Sequence, residues 1–126
     1  MRTRLIVITL ALALLLVVPS QALAMTYTQA RHLSASQVKT IIRTEARRAH
    51  LGTADTAALI ELARRESTYH PWSRTGSCYG LFQLMKVSHN HWYDPAWNTS
   101  RAIKYIRARY STPRRALAHS RRYGWY

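Results

Sequence analysis

Apolar positions recur at helical spacing through most of the chain beyond its first two dozen residues. Ser34 and Gln37 stand as the N-cap and third helical residue of a capping box, and Val38, Ile41, Ile42, Ala46 and Ala49 carry an apolar face on towards Gly52, which predicts a helix. A second helix follows, capped by Thr53 or Asp55. On it Leu59, Leu62, Ala63 and Glu66 share one face by the i, i+3, i+4, i+7 rule, while Glu61, Arg64 and Arg65 face away. It must stop before Pro71, because the residue preceding a proline is driven out of the α region.

Residues 72–79 have a loop composition, with Ser73, Thr75, Gly76 and Ser77, and Gly80 marks a backbone conformation or close approach that a Cβ would forbid. Residues 81–88 read as a short helix. Asp94-Pro95 and Thr112-Pro113 each pair an N-cap with proline at the first helical position. The first of these helices shows Ala102, Ile103, Ile106 and Tyr110 on its apolar side, and the second runs through Leu117 to near Gly124. No stretch alternates long enough to predict a strand. The expected fold is one mainly α domain of about five helices with a cleft and little or no β.

The beginning of the chain changes the picture. Arg2 and Arg4, an apolar run over residues 5–18 broken by Thr9, and Ala22-Leu23-Ala24 follow the order of a secretory signal peptide, so residues 1–24 are set aside from the fold. The run is short for a membrane span and ends at Pro19, so no transmembrane segment is expected after cleavage. Residues 25–33 show no period and are expected to form a flexible lead-in, which leaves 34–126 as the domain. The formal charge is +14, or +12 without Arg2 and Arg4, which points to a polyanionic partner. Export turns that expectation from nucleic acid towards anionic cell-envelope polymers or a membrane surface, and places the protein in the cell envelope or outside the cell. With one cysteine, Cys78, no intrachain disulfide is possible.

Glu66 is the residue with candidate chemistry. A carboxyl at the end of an apolar stripe is desolvated, which raises its pKa towards that of a general acid. The other acids are Glu45, Asp55, Glu61 and Asp94. Asp55 and Asp94 precede helices and read as caps, Glu61 lies opposite Glu66, and Glu45 sits among Arg43, Arg47 and Arg48 on a face read as solvated. Glycosidases of the usual kind need two carboxylates; a glycan-cleaving enzyme built on this chain must work with one. His89-Asn90-His91 lacks the acid or third histidine of a metal site, and Cys78 lacks a catalytic context, so neither metal nor cofactor is expected. The aromatic residues concentrated in the C-terminal third read mostly as core, with a minority available to line a groove.

Glu66-Ser67, Tyr69-His70-Pro71, Gly80-Leu81-Phe82-Gln83 and Asp94-Pro95 with Asn98 form an ordered set that resembles the soluble lytic transglycosylase and goose-type lysozyme-like family. The likeness runs from about Asp55 to Tyr126. It implies a lysozyme-like fold and cleavage of peptidoglycan glycan strands between N-acetylmuramic acid and N-acetylglucosamine. Glu66 would act first as acid on the glycosidic oxygen and then as base on the muramic 6-hydroxyl, giving 1,6-anhydro ends. Ser67 is then the motif partner, Gly80, Leu81, Phe82 and Gln83 form the cleft wall, and Thr75 is the polar contact of the preceding loop. The family's later Ala-Tyr-Asn is replaced by Ala118-His119-Ser120, in the manner of a secreted or phage-borne branch that ends in Gly-Trp-Tyr, as Gly124 to Tyr126 do. His119 and Ser120 are therefore expected at the sugar, with Tyr126 as the tyrosine whose hydroxyl approaches the glutamate. Asp94 and Asn98 read as structural. Hydrolysis by a lysozyme-type route and non-catalytic wall or membrane binding by a cationic protein are the competing expectations.

Overall fold

The structure is a computed structural model and describes residues 24–85 and 90–126. Among these, five helices and three short strands follow one another as α1 (Tyr27–Arg31), α2 (Ala35–Arg48), α3 (Thr53–Ser67), β1 (Arg74–Thr75), β2 (Cys78–Tyr79), β3 (Leu84–Met85), α4 (Pro95–Tyr110) and α5 (Pro113–Tyr123). The protein is mainly helical, with one small antiparallel sheet of order β1-β2-β3. Almost all of the expected signal peptide lies outside the described residues. No helix among the described residues is long and apolar enough to cross a membrane.

The local chemistry of the helix ends explains most boundaries. At α2 the Ser34 hydroxyl accepts the Gln37 N–H at 3.2 Å and the Gln37 side chain accepts the Ser34 N–H at 2.8 Å, the expected capping box. The same box, Thr26 with Gln29, builds α1, so the expected lead-in is instead a short capped helix. It is held down by fully buried Ala30, by Tyr27 against Trp92 and Tyr93, and by the Met25 N–H donated to Asp94 Oδ2 at 3.1 Å. Helix α2 stops at Arg48, short of Gly52, because His50 turns to φ +56° and the Leu51 N–H reaches back to the Ala46 carbonyl. Helix α3 is capped by the backbone at Gly52 and by neither Thr53 nor Asp55; the Asp55 carboxylate instead meets Arg114 across the fold at 3.0 Å. It ends as Thr68 and Tyr69 enter the left-handed region, ahead of Pro71. Asp94 accepts the Ala96 and Trp97 N–H groups at the start of α4, and Thr112 accepts that of Arg115 at the start of α5, both before the expected prolines. At the far end of α5 Gly124 closes the helix at φ +81°.

The four long helices enclose one core. Val38, Ile42 and Ala46 of α2, Leu59, Leu62 and Ala63 of α3, Ala102, Ile103 and Ile106 of α4, and Ala116 and Leu117 of α5 pack around Leu81 and Phe82. Those last two residues sit in a turn, not a helix. Gly80 and Gln83 on either side have φ of +79° and +49°, which a right-handed helix does not accept, and the chain leaves through β3. The expected helix over 81–88 is thus replaced by a turn and strand as far as Met85, and residues 86–88 lie outside the described residues. Glu45 also departs from expectation: it is buried, with Oε1 2.5 Å from Arg48.

Candidate active site

The penultimate residue of α3 is Glu66, half-buried where the apolar stripe of Leu59, Leu62 and Ala63 runs out. Burial pushes its carboxyl above the ordinary value of 4.5, with the nearby Arg65 charge opposing the shift. Among the described residues the carboxylate has neither a hydrogen bond nor an ion pair.

The other acids are committed elsewhere. Glu61 is gripped by Arg64 through bonds of 2.8 and 2.7 Å, which holds it below the usual carboxylate range, and Glu45 is paired with Arg48. Asp55 is paired with Arg114, and Asp94 is saturated by backbone N–H groups. Glu66 is the acid that lines a cleft of about 780 Å³. Thr75, Cys78 and Gln83 bound the cleft on the sheet side, and Tyr105, Arg109, Trp125 and Tyr126 on the side of α4 and the C-terminus.

The Gly80–Gln83 segment is locked beneath this cleft. A Cβ on Gly80 would lie 2.3 Å from both Asn98 Nδ2 and the Trp92 carbonyl oxygen. Fully buried Asn98 accepts the Phe82 N–H at 2.8 Å and donates to the Tyr79 and Trp92 carbonyls at 3.2 and 3.1 Å. The Ser67 hydroxyl lies 2.7 Å from the Leu81 carbonyl and 3.1 Å from that of Ala63, so the residue after Glu66 ties the helix end to the turn. The Tyr126 hydroxyl donates to the Phe82 carbonyl at 2.9 Å. Burial, with the Glu66 charge as the next cause, raises the Tyr126 phenol well above its ordinary value, so it stays protonated as a donor. Gln83 donates to the Gly80 and Ser73 carbonyls, while its Oε1 is buried without a hydrogen-bond partner among the described residues.

Of the residues expected at the site, Glu66, Thr75, Phe82, Gln83 and Tyr126 line the cleft together. Ser67, Gly80 and Leu81 are buried behind it and act as its frame. His119 and Ser120 do not line this cleft. The His119 ring packs against Tyr123 at 4.6 Å and Trp125 at 4.4 Å, supporting the cleft wall from behind. Ser120 is spent on Arg65, whose Nε and Nη2 donate to its hydroxyl and carbonyl, and it opens on a separate polar hollow that shares Glu66. Sequence reasoning left Cys78, Leu84, Met85 and Arg109 unassigned and did not single out Tyr105 or Trp125 among the aromatics. The available signal was the i, i+4 pair Tyr105 and Arg109 on the solvent side of α4. Asn90 and His91 are exposed, and His89 lies outside the described residues. No three His, Cys, Asp or Glu residues cluster as metal ligands among the described residues.

Comparison with protein-family models, curated proteins and solved structures finds no match for this chain. The site is therefore defined by its own geometry: a cleft with one desolvated carboxyl that has no hydrogen bond or ion pair among the described residues, aromatic faces and polar edges.

Proposed function

We propose that the protein is an exported peptidoglycan-cleaving enzyme, a lytic transglycosylase that uses Glu66 as both acid and base. The observation that carries this reading is the solitary acidic side chain of the cleft, raised in pKa by burial and without a hydrogen bond or ion pair among the described residues. The resemblance of Glu66-Ser67 and Gly80 to Gln83 to the lytic transglycosylase and goose-type lysozyme-like group supports the same assignment.

In this mechanism Glu66 enters protonated, as its desolvated position favours. It gives its proton to the glycosidic oxygen as the bond to the muramic C1 breaks. The resulting carboxylate takes the proton of the muramic 6-hydroxyl while that oxygen bonds to C1, which closes the 1,6-anhydro ring and regenerates the acid. No water is consumed, so no second carboxylate is needed to activate one. Trp125 and Tyr105 offer faces to the sugar rings. The exposed arginines of α2, α4 and α5 hold the enzyme on anionic envelope polymers.

The test is solubilisation of purified cell-wall sacculi by the protein and by Glu66→Gln. The reading requires turnover by the first and a loss of at least about a hundredfold in the second. Retained turnover in Glu66→Gln removes Glu66 from the mechanism, and wall binding without turnover in either favours a non-catalytic cationic binder.

A further inference from the structure

We propose that Arg109 forms a carboxylate-binding subsite of the Glu66 cleft, selecting glycans whose sugars carry an acidic substituent; this rests on the glycan-cleaving reading of the same cleft. Tyr105 and Arg109 lie one helical turn apart on α4 and both line the cleft. The Arg109 guanidinium carbon stands 5.5 Å from the Trp125 ring centroid and 5.8 Å from that of Tyr110. The Tyr110 hydroxyl is also within hydrogen-bonding reach of Arg109 but carries no negative charge, and the guanidinium has five N–H donors, enough to leave a pair for a planar, bidentate acceptor such as a carboxylate.

Arg109 forms no salt bridge to a carboxylate among the described residues. Glu45, Glu61 and Asp55 are paired with Arg48, Arg64 and Arg114, and Asp94 serves as a cap. The cation whose charge bears on Glu66 is Arg65 of its own helix. Among the described residues lining this cleft, Arg109 is the one cationic side chain and Glu66 the one acidic side chain. Beside Arg109, Trp125 and Met85 are 51% and 61% exposed and present apolar surface for a sugar ring. A saccharide seated there would place a ring substituent against the guanidinium. In the proposed substrate that substituent is the lactyl group of the muramic residue, with a free carboxyl or with the peptide carboxyls it carries.

The test measures binding by calorimetry with the Glu66→Gln protein, which removes turnover. Three probes are used: peptide-free N-acetylmuramic acid–N-acetylglucosamine oligomers with free lactyl carboxyls, the same oligomers with those carboxyls converted to methylamides, and N-acetylglucosamine oligomers of equal length. The expected result is a Kd about tenfold lower for the acidic oligomer than for its methylamide, abolished by adding Arg109→Gln and partly kept by Arg109→Lys. Arg101→Gln, which removes an exposed α4 charge outside the cleft, serves as the control for overall charge and should keep the preference. Equal binding of acid and methylamide, a preference surviving Arg109→Gln, or an equal loss in Arg101→Gln overturns the subsite while leaving the glycan-cleaving reading in place. Failure to bind all three oligomers overturns both.

Discussion

Gly80→Ala perturbs the point on which the cleft is built. The native φ of +79° costs an L-residue about 1–2 kcal/mol. The added methyl also falls 2.3 Å from Asn98 Nδ2 and 2.3 Å from the Trp92 carbonyl oxygen, in a fully buried site. Overpacking of this kind costs about 1–3 kcal/mol. Together these give about 2–5 kcal/mol, a large share of the roughly 5–15 kcal/mol that holds a domain folded. For a chain of this size the shift in Tm should be at least about 10 °C. The measurement is thermal unfolding followed by circular dichroism. Asn98→Ala alone should also destabilise, since it strands the Phe82 N–H, but it removes two of the three colliding atoms, Nδ2 and Cγ of Asn98. The double variant is therefore expected to lose less than the sum of the singles, by about 1 kcal/mol or more. A Tm for Gly80→Ala within about 3 °C of the parent, or strict additivity with Asn98→Ala, refutes the close approach.

Glu66→Gln should raise stability at neutral pH while removing activity, because the folded carboxyl has a raised pKa. Below the ordinary value of 4.5 both states are protonated; as pH rises from there through the folded value the unfolded chain sheds its proton first, so the parent loses stability that the glutamine variant keeps. Unfolding curves across that window should converge at low pH and separate above it. Ser67→Ala removes a buried hydroxyl bonded to Leu81 and should cost about 1–2 kcal/mol in denaturant unfolding with KM unchanged, whereas a raised KM at intact stability would restore Ser67 as a sugar contact. Tyr126→Phe leaves the Phe82 carbonyl without its donor and should cost about 1 kcal/mol, measured the same way, together with reduced turnover on sacculi.

The helix framework was legible because its signals are local. Ser34 with Gln37, Asp94-Pro95, Thr112-Pro113 and Gly124 fix helix ends by hydrogen bonds within a few residues, and the structure shows each where the pattern placed it. Thr26 with Gln29 is the same capping signal, passed over because no apolar period follows it; what holds α1 is tertiary contact with Asp94, Trp92 and Tyr93. Residues 81–85 misread as helix because their apolar character is real but is set by burial around Asn98, a partner sixteen residues from Phe82. Gly80 was recognisable as a close approach, though its partners were not. At the site, Glu66 was legible from the apolar stripe, whereas the bond from Ser67 to the Leu81 carbonyl was not, because a hydroxyl after a cleft acid reads equally as ligand or brace. The surroundings of His119 and Ser120 were hidden for the same reason: Ser120 meets Arg65 of α3 and the His119 ring packs in the aromatic cluster, an orientation no local pattern encodes.

In the proposed mechanism one carboxyl does the work of two by using the substrate's own hydroxyl in place of water. That mechanism is tested most directly by mass spectrometry of the muropeptides released from sacculi, before and after borohydride treatment. The account requires 1,6-anhydro ends that borohydride leaves unchanged, and their absence from the Glu66→Gln digest. Reducible muramic ends, two mass units heavier after treatment, would show hydrolysis and contradict it.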